Sequence, residues 1–483
     1  VIVVTEVALV SVEETVPRAD RPERLRRGVL GLADITASTM ANIGPAMSFF
    51  FGFGLLAETA GVASPLTILA AAVAVALLGN TLAEFSRSIP STGSFITFIG
   101  RTFGPVMALA TTIVVSLGYI IAVASVVGIS GGWTSIIIVH YFHVHIAWQW
   151  FTVLFTLLAF ALCVKGVSVS TRWAGALFTF EIGLLLVVSV WVLISRHGDL
   201  RLTPFEPSHL SSGFKGLGLG FPLAVYMFIG WENSAALAEE TSEPRRAVPR
   251  AVYLSIVAMT VSYLLFSYTT VVGFHYDTKT LSGTEVPFVS VAQSVLGGAA
   301  VLAYIAGFTS IIGALISASN SQSRLIFNAG REGLLPRVVA RVTPGSRTPW
   351  VSFVVYLVIA LGLAFGWGWG LDPVVFFGDA ATLGTILVAT TWLVANLALP
   401  VYYRRAHPDL FNPVRHAVLP LLGVLAIGFP LYELVKPGQP SPFNIFPWIS
   451  LAVIVVAVAY ALVLNARDRT LGERVGSIIA DAD

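Results

Sequence analysis

Charge is what this chain has least of. Only 11% of its 483 residues are Asp, Glu, Lys or Arg, whereas an ordinary soluble domain carries about a quarter. That shortage excludes a water-soluble globular protein of this length. Cysteine is almost absent as well. Cys163 stands alone, so no internal disulfide and no thiolate metal site can form. The glycine run Gly366-x-Gly368-x-Gly370 has no Lys-Ser or Lys-Thr behind it, which excludes a phosphate-cradling loop. No nucleotide, no other cofactor and no metal is expected. His140-x-x-His143-x-His145 has ligand-like spacing, but it falls in a short connection without nearby acids, and a structural metal site takes about four ligands.

What fills the chain instead is apolar residue, 56% of the total, with a mean hydropathy of +0.84. A helix needs ~20 apolar residues to cross a bilayer core. Runs of that kind are read near 30–60, 64–86, 104–130, 148–166, 173–195, 217–238, 251–274, 297–320, 349–367, 374–401, 417–436 and 445–465. The expectation is an all-α, polytopic membrane protein with 12 transmembrane helices in a lipid bilayer. With the N-terminus placed in the cytoplasm, 23 of the 28 Lys and Arg fall in inner segments and 5 in outer ones. Cytoplasmic loops retain basic residues, so both termini are expected in the cytoplasm of a multi-pass cell-membrane protein. The Arg-rich stretch Arg18 to Arg27 then reads as a juxtamembrane topology signal, and no nucleic-acid partner is expected. The first apolar run is too long and begins too late for a cleavable signal peptide.

Two of the runs are interrupted. The first carries Ile43-Gly44-Pro45-Ala46-Met47-Ser48 in mid-span, and the sixth carries Phe228-Ile229-Gly230-Trp231-Glu232. Pro45 lacks an N–H and clashes with the preceding turn. Each break falls in the first helix of a five-helix set. Residues 29–196 (helices 1–5) and 213–402 (helices 6–10) are therefore read as inverted repeats. They are flanked by a tail over 1–28, accessory helices 11 and 12 over 403–466, and a tail over 467–483. Matched breaks in inverted halves point to a binding site at the bilayer midplane, and broken backbone at that depth must line a cavity or be buried in protein.

Further motifs follow in order. Ala83-Glu84-Phe85-Ser86 is followed by Ile89-Pro90-Ser91-Thr92-Gly93-Ser94 and Phe103-Gly104. After the second break come Ala238-Glu239-Glu240-Thr241, Pro244-Arg245-Arg246 and Val248-Pro249-Arg250-Ala251. Later come Asn320, Arg324, Asn328-Ala329-Gly330-Arg331-Glu332-Gly333-Leu334-Leu335-Pro336 and Gly384-Thr385. Over residues 28–405 this order resembles the amino acid–polyamine–organocation (APC) superfamily. The resemblance implies a LeuT-type fold with a 5+5 inverted repeat, discontinuous helices 1 and 6, and two accessory helices. It also implies alternating-access transport of an amino acid or amine, whose amino and carboxylate groups the two broken helices hold. The chain departs from the family pattern at Pro45 and Ala46, where a Gly- and Ser-rich break usually offers free N–H groups to a carboxylate.

Ionisable groups at bilayer depth are functional by default. Glu181 is placed about eight residues into helix 5, or ~12 Å from its inner end. In some proton-coupled relatives a helix 5 lysine stands at about this place. Glu181 is thus the candidate for proton coupling, with sodium ligation and plain packing as alternatives. Glu232 either meets a substrate ammonium or ties down unwound backbone, and Asp379 is placed at vestibule depth. The aromatics Tyr119, Phe228 and Trp231 are candidates for gating or cation–π contact. The candidate substrate-binding set is Ile43, Gly44, Pro45, Ala46, Met47, Ser48, Tyr119, Phe228, Ile229, Gly230, Trp231, Glu232 and Asp379. The resulting expectation is a secondary active transporter of amino acids or amines with a proton, or else sodium, as coupling ion. A polyamine or amine permease, an exchanger and a non-transporting nutrient sensor are the alternatives. No nucleophile–base set suggests an enzyme.

Overall fold

The structure, a computed structural model, describes residues 24–211, 213–468 and 470–480, with the side chains of 214–219 left aside. The expected topology signals Arg18 and Arg21 lie outside the described residues. Among the described residues the fold is all helix, apart from one isolated bridge between Leu30 and Thr241. Eight helical stretches are long and apolar enough to cross a membrane, and Trp148–Val164 and Trp350–Gly366 are shorter apolar helices.

The first apolar run forms two helices, α1 (Leu32–Ile43) and α2 (Pro45–Ala60), joined through Gly44 at φ 61°. Pro45 takes the first position of α2, where a missing N–H costs nothing. Next come α3 (Ser64–Ser88), the short α4 (Phe95–Phe103), α5 (Pro105–Phe142), α6 (Trp148–Val164) and α7 (Val167–Ser195). The second broken run forms α8 (Phe214–Tyr226) and the single turn α9 (Asn233–Ala236). Between them Gly230 takes φ 107°. A Cβ there would lie 2.8 Å from Asn42 Nδ2 and 3.0 Å from the Ile43 N, so the two breaks touch. Then follow α10 (Pro244–Gly273), the short α11 (Thr278–Ser282) and α12 (Pro287–Leu296), and α13 (Val301–Arg331). The chain closes with α14 (Trp350–Gly366), α15 (Pro373–Ala406), α16 (Leu419–Val435), α17 (Phe446–Arg467) and α18 (Leu471–Arg474).

Several helices outrun their expected limits. α5 continues to Phe142 rather than ending near 130, which puts His140 in its last turn with the ring stacked on Tyr304 at 5.3 Å. Only His143 and His145 occupy the connection, and no group of three metal-ligating side chains exists among the described residues. α7 begins at Val167 rather than 173, so Glu181 is its central residue, with fourteen residues on either side. α13 continues to Arg331 rather than 320. Its polar extension reads as a loop in sequence, but Asn320, Arg324 and Asn328 recur every four residues on one buried stripe.

Candidate functional site

The orphan donors at the start of a helix decide what that end can bind. In α2 the first N–H is missing at Pro45. The Glu181 carboxyl faces the Ala46 N–H and the Ser310 hydroxyl of α13. The Met47 N–H donates to Ser310 Oγ at 3.0 Å. Ser48 N–H returns to the Gly44 carbonyl at 2.8 Å, and its hydroxyl caps the Ile43 carbonyl at 2.6 Å. Of the donors that the resemblance assigns to a substrate carboxylate, the Met47 and Ser48 N–H groups are therefore engaged by this protein's own oxygens, and the Ala46 N–H faces the Glu181 carboxyl. Glu181 Oε1 is buried without a partner among the described residues.

Glu232 organises the second break. Its Oε1 accepts from the Tyr119 hydroxyl at 2.6 Å and its Oε2 from the Gly230 N–H at 3.2 Å. The Tyr263 hydroxyl holds the Met227 carbonyl at 2.9 Å, and Asn233 Nδ2 donates to Ser38 Oγ at 3.3 Å.

Between the breaks lies a cavity of about 40 Å³, lined by Asn42, Ile43, Met47, Ser48, Tyr226, Ile229 and Gln322 with small residues of α5 and α13. At ~10–15 Å³ per water it has room for about three waters. A second void of about 10 Å³ adjoins it, lined by Tyr119, Glu232, Asn233 and Ser321, and it shares Asn42 and Gln322 with the first. On the other side of Tyr226 is a vestibule of about 360 Å³. Phe51, Tyr226 and Phe377 separate the two spaces, with ring centroids 5.3 Å apart for Phe51–Phe377 and 6.0 Å for Tyr226–Phe377.

The candidate residues divide by position. Ile43, Met47, Ser48, Ile229, Tyr119 and Glu232 line the two voids, whereas Gly44, Pro45, Ala46 and Gly230 shape the breaks through their backbone. Phe228 packs on Tyr263 at 5.2 Å and Trp231 on Trp392 at 5.6 Å, and neither lines a void. Asp379 does not line the vestibule as expected. From α15 the lining takes Phe377, Gly378, Ala381, Thr382 and Thr385, and Asp379 is buried off that face. Sequence reasoning missed Asn42, Tyr226, Ser310 and Gln322. Asn42 adjoins the Gly44 break, and Gln322 sits in the polar stretch of α13, so two of the four carried a signal.

Toward the Arg-rich ends of the helices the cavity is sealed by charge. Arg324 is fully buried and pairs with Glu240, its Nη2 lying 3.1 Å from Oε1. Arg331 forks onto Glu239 at 2.7 and 3.1 Å, and the Leu25 N–H donates to the same carboxylate at 3.0 Å. The Leu30 N–H donates to the Glu240 carbonyl at 2.9 Å. In these contacts the segment from Glu239 to Arg250 pairs with the segment from Arg324 to Pro336.

A bundle of apolar helices in which two broken helices meet around a polar cavity has the build of a membrane solute carrier. The chain belongs to the amino acid permease family, whose model matches residues 28–467. It is similar to the methylthioribose transporter of Bacillus subtilis (strain 168), 26% identical over 83% of this chain and 87% of that protein. It is also similar to the branched-chain amino acid permease BcaP of the same bacterium, 26% identical over 92% and 95%. The human cystine/glutamate transporter is 24% identical over 83% of this chain and 78% of its own length.

Proposed function

We propose that this protein is a proton-coupled secondary transporter that moves a small ammonium-bearing solute, an amino acid or amine, by alternating access. In this reading the chain crosses the membrane twelve times as a 5+5 inverted repeat plus α16 and α17, with both termini in the cytoplasm. The solute occupies the cavity between the Gly44 and Gly230 breaks, enlarged when the aromatic partition moves. The observation that carries the reading is the Glu181 carboxyl at the start of α2. It is charge-capable, central in α7, and one hydroxyl away from Met47, which lines the cavity. Glu181 is the proton site, and Ser310 relays its state to the cavity wall. The two Bacillus relatives, a methylthioribose transporter and a branched-chain amino acid permease, favour a small metabolite, and the second favours an amino acid.

The test is uptake into proteoliposomes with and without an acid-outside proton gradient. Gradient-driven accumulation of one or more amino acids or amines is expected. Glu181→Gln should reduce that accumulation at least tenfold while leaving exchange of internal for external solute. Undiminished gradient-driven uptake in the variant rules out Glu181 as the proton site. Exchange alone in the unaltered protein points to an exchanger, and binding without flux to a sensor.

A carboxylate-free amine is favoured over the parent amino acid by one observation: the Met47 N–H is already engaged by Ser310 and the Ala46 N–H already faces the Glu181 carboxyl. Competition assays decide this. Decarboxylated amines should compete at least as well as their parent acids, and a tenfold preference for the acids would show that a carboxylate displaces Glu181 from α2.

A further inference from the structure

On the end of the bundle remote from the Arg-rich face, a crevice of about 420 Å³ opens between α15, α16 and α17. It takes no part in the solute path, and its lining is ordered by depth. Lys436 ends α16, and Asn444 lies in the connection to α17. Trp448, near the start of α17, is 71% exposed, the placement of an interfacial Trp. Ser450 follows, four residues (~6 Å) into α17. It is only 3% exposed, and its hydroxyl has no partner among the described residues. Deeper still the wall is apolar, with Leu431 and Leu451, apart from Thr390, whose hydroxyl turns back onto the Ile386 carbonyl at 2.8 Å.

We propose that this crevice is a binding site for one anionic phospholipid. A phospholipid presents a phosphodiester, then glycerol-ester carbonyls, then an acyl chain, and the crevice presents an ammonium, then an unsatisfied hydroxyl donor, then an apolar wall. A buried hydroxyl needs an acceptor, and an ester carbonyl at that depth supplies one. Lys436 is the one cation in the lining among the described residues. Its ammonium carries three donors, and one is used by Glu433. The remaining donors suit a phosphodiester. Glu433 itself lines the vestibule, so a phosphate that draws on Lys436 also loosens its hold on a vestibule acid. Headgroup charge is in this way linked to the entrance of the solute path.

The test uses the full-length protein in mild detergent, titrated with phosphatidylglycerol or phosphatidylcholine of identical acyl chains and read by native mass spectrometry. Phosphatidylglycerol should be retained about fivefold more tightly, the factor that one Lys near a membrane surface supplies. Lys436→Gln should abolish the preference, and Lys436→Arg should keep it. Ser450→Ala should weaken retention of both lipids; Lys436 is partly exposed at the end of α16 and Ser450→Ala removes only a hydroxyl, so folding is not at stake. Equal retention of the two lipids, with no effect of Lys436→Gln, overturns the proposal. So does a lipid-free dimer that buries Trp448. Millimolar inorganic phosphate that alone matches the lipid's protection of the protein against heat would reassign Lys436 to a free anion and also overturn it.

Discussion

At the scale of single residues, the chemistry turns on which buried polar groups have partners. Arg324 is wholly buried, held by Glu240 and by the Asn320 carbonyl. Removing one member of such a pair leaves the other charge buried and uncompensated, at a cost of about 3–5 kcal/mol. Arg324→Gln should therefore destabilise the detergent-solubilised protein by that amount in thermal unfolding, while Arg246→Gln, at an exposed pair with Glu243, should cost under ~1 kcal/mol. Ser310 makes a second case. Ser310→Ala leaves the Met47 N–H without its acceptor, at about 1–3 kcal/mol. If Ser310 relays the state of Glu181, the variant should also flatten the pH profile of uptake, which a purely structural role would leave unchanged in shape. Glu181 was legible in sequence because an acid between Phe180 and Ile182 is conspicuous. Ser310 was not, since a lone serine in an apolar helix is ordinary and only the fold brings it to the start of α2. Asp379 misled for the converse reason, because depth along a helix says nothing of which way the side chain faces.

At the scale of elements, the breaks were legible and the helix ends were not. Gly44-Pro45 forbids a continuous helix on local grounds, but that Gly230 would seat against Asn42 and Ile43 is a tertiary fact. Gly230→Ala meets both the positive φ and the close approach, so it should cost about 1–3 kcal/mol and lower the yield of folded protein more than Gly298→Ala, which has open space. The lengthened α13 escaped sequence reading because its polar stripe is stable only when Glu239 and Glu240 arrive to pair with it. The chain's last described segment also depends on such an arrival. Arg101 donates to the Gly476 carbonyl at 2.7 and 3.0 Å, and the Ala480 N–H to the Pro90 carbonyl at 2.8 Å. Burial pushes the Glu332 carboxyl up to about 7, opposed by the Gly476 N–H, Asn328, Arg331 and Arg101. A carboxyl raised on burial holds a proton that the unfolded state releases, so its contribution to stability is present below the ordinary value of 4.5 and is lost as pH rises through about 7. Thermal unfolding of the detergent-solubilised protein should therefore show a higher Tm at pH 6 than at pH 8 through this carboxyl. Glu332→Gln should remove the difference, and a persistent difference would place the titration elsewhere.

At the scale of the whole molecule, the two ways out of the central cavity are closed by different means. Toward the vestibule stands one layer of rings, Phe51, Tyr226 and Phe377, packed by dispersion and holding no charge. Toward the Arg-rich face stand two buried ion pairs and the Leu30–Thr241 bridge, whose separation would strand charges in a low-dielectric interior. The ring layer is the easier to open, and Tyr226 is the residue common to cavity and vestibule. Accessibility measures this directly, since the chain's single cysteine, Cys163, is buried and gives a quiet background. Ser48→Cys places a thiol on the cavity wall. Its reaction with a water-soluble methanethiosulfonate should be slow, and adding Tyr226→Ala should speed it at least tenfold by joining the cavity to the vestibule. Adding Phe228→Ala, which removes a ring packed behind the break, should not. If the Tyr226 change leaves the rate as it was, the cavity is sealed by backbone rather than by rings, and the vestibule is not the readier route.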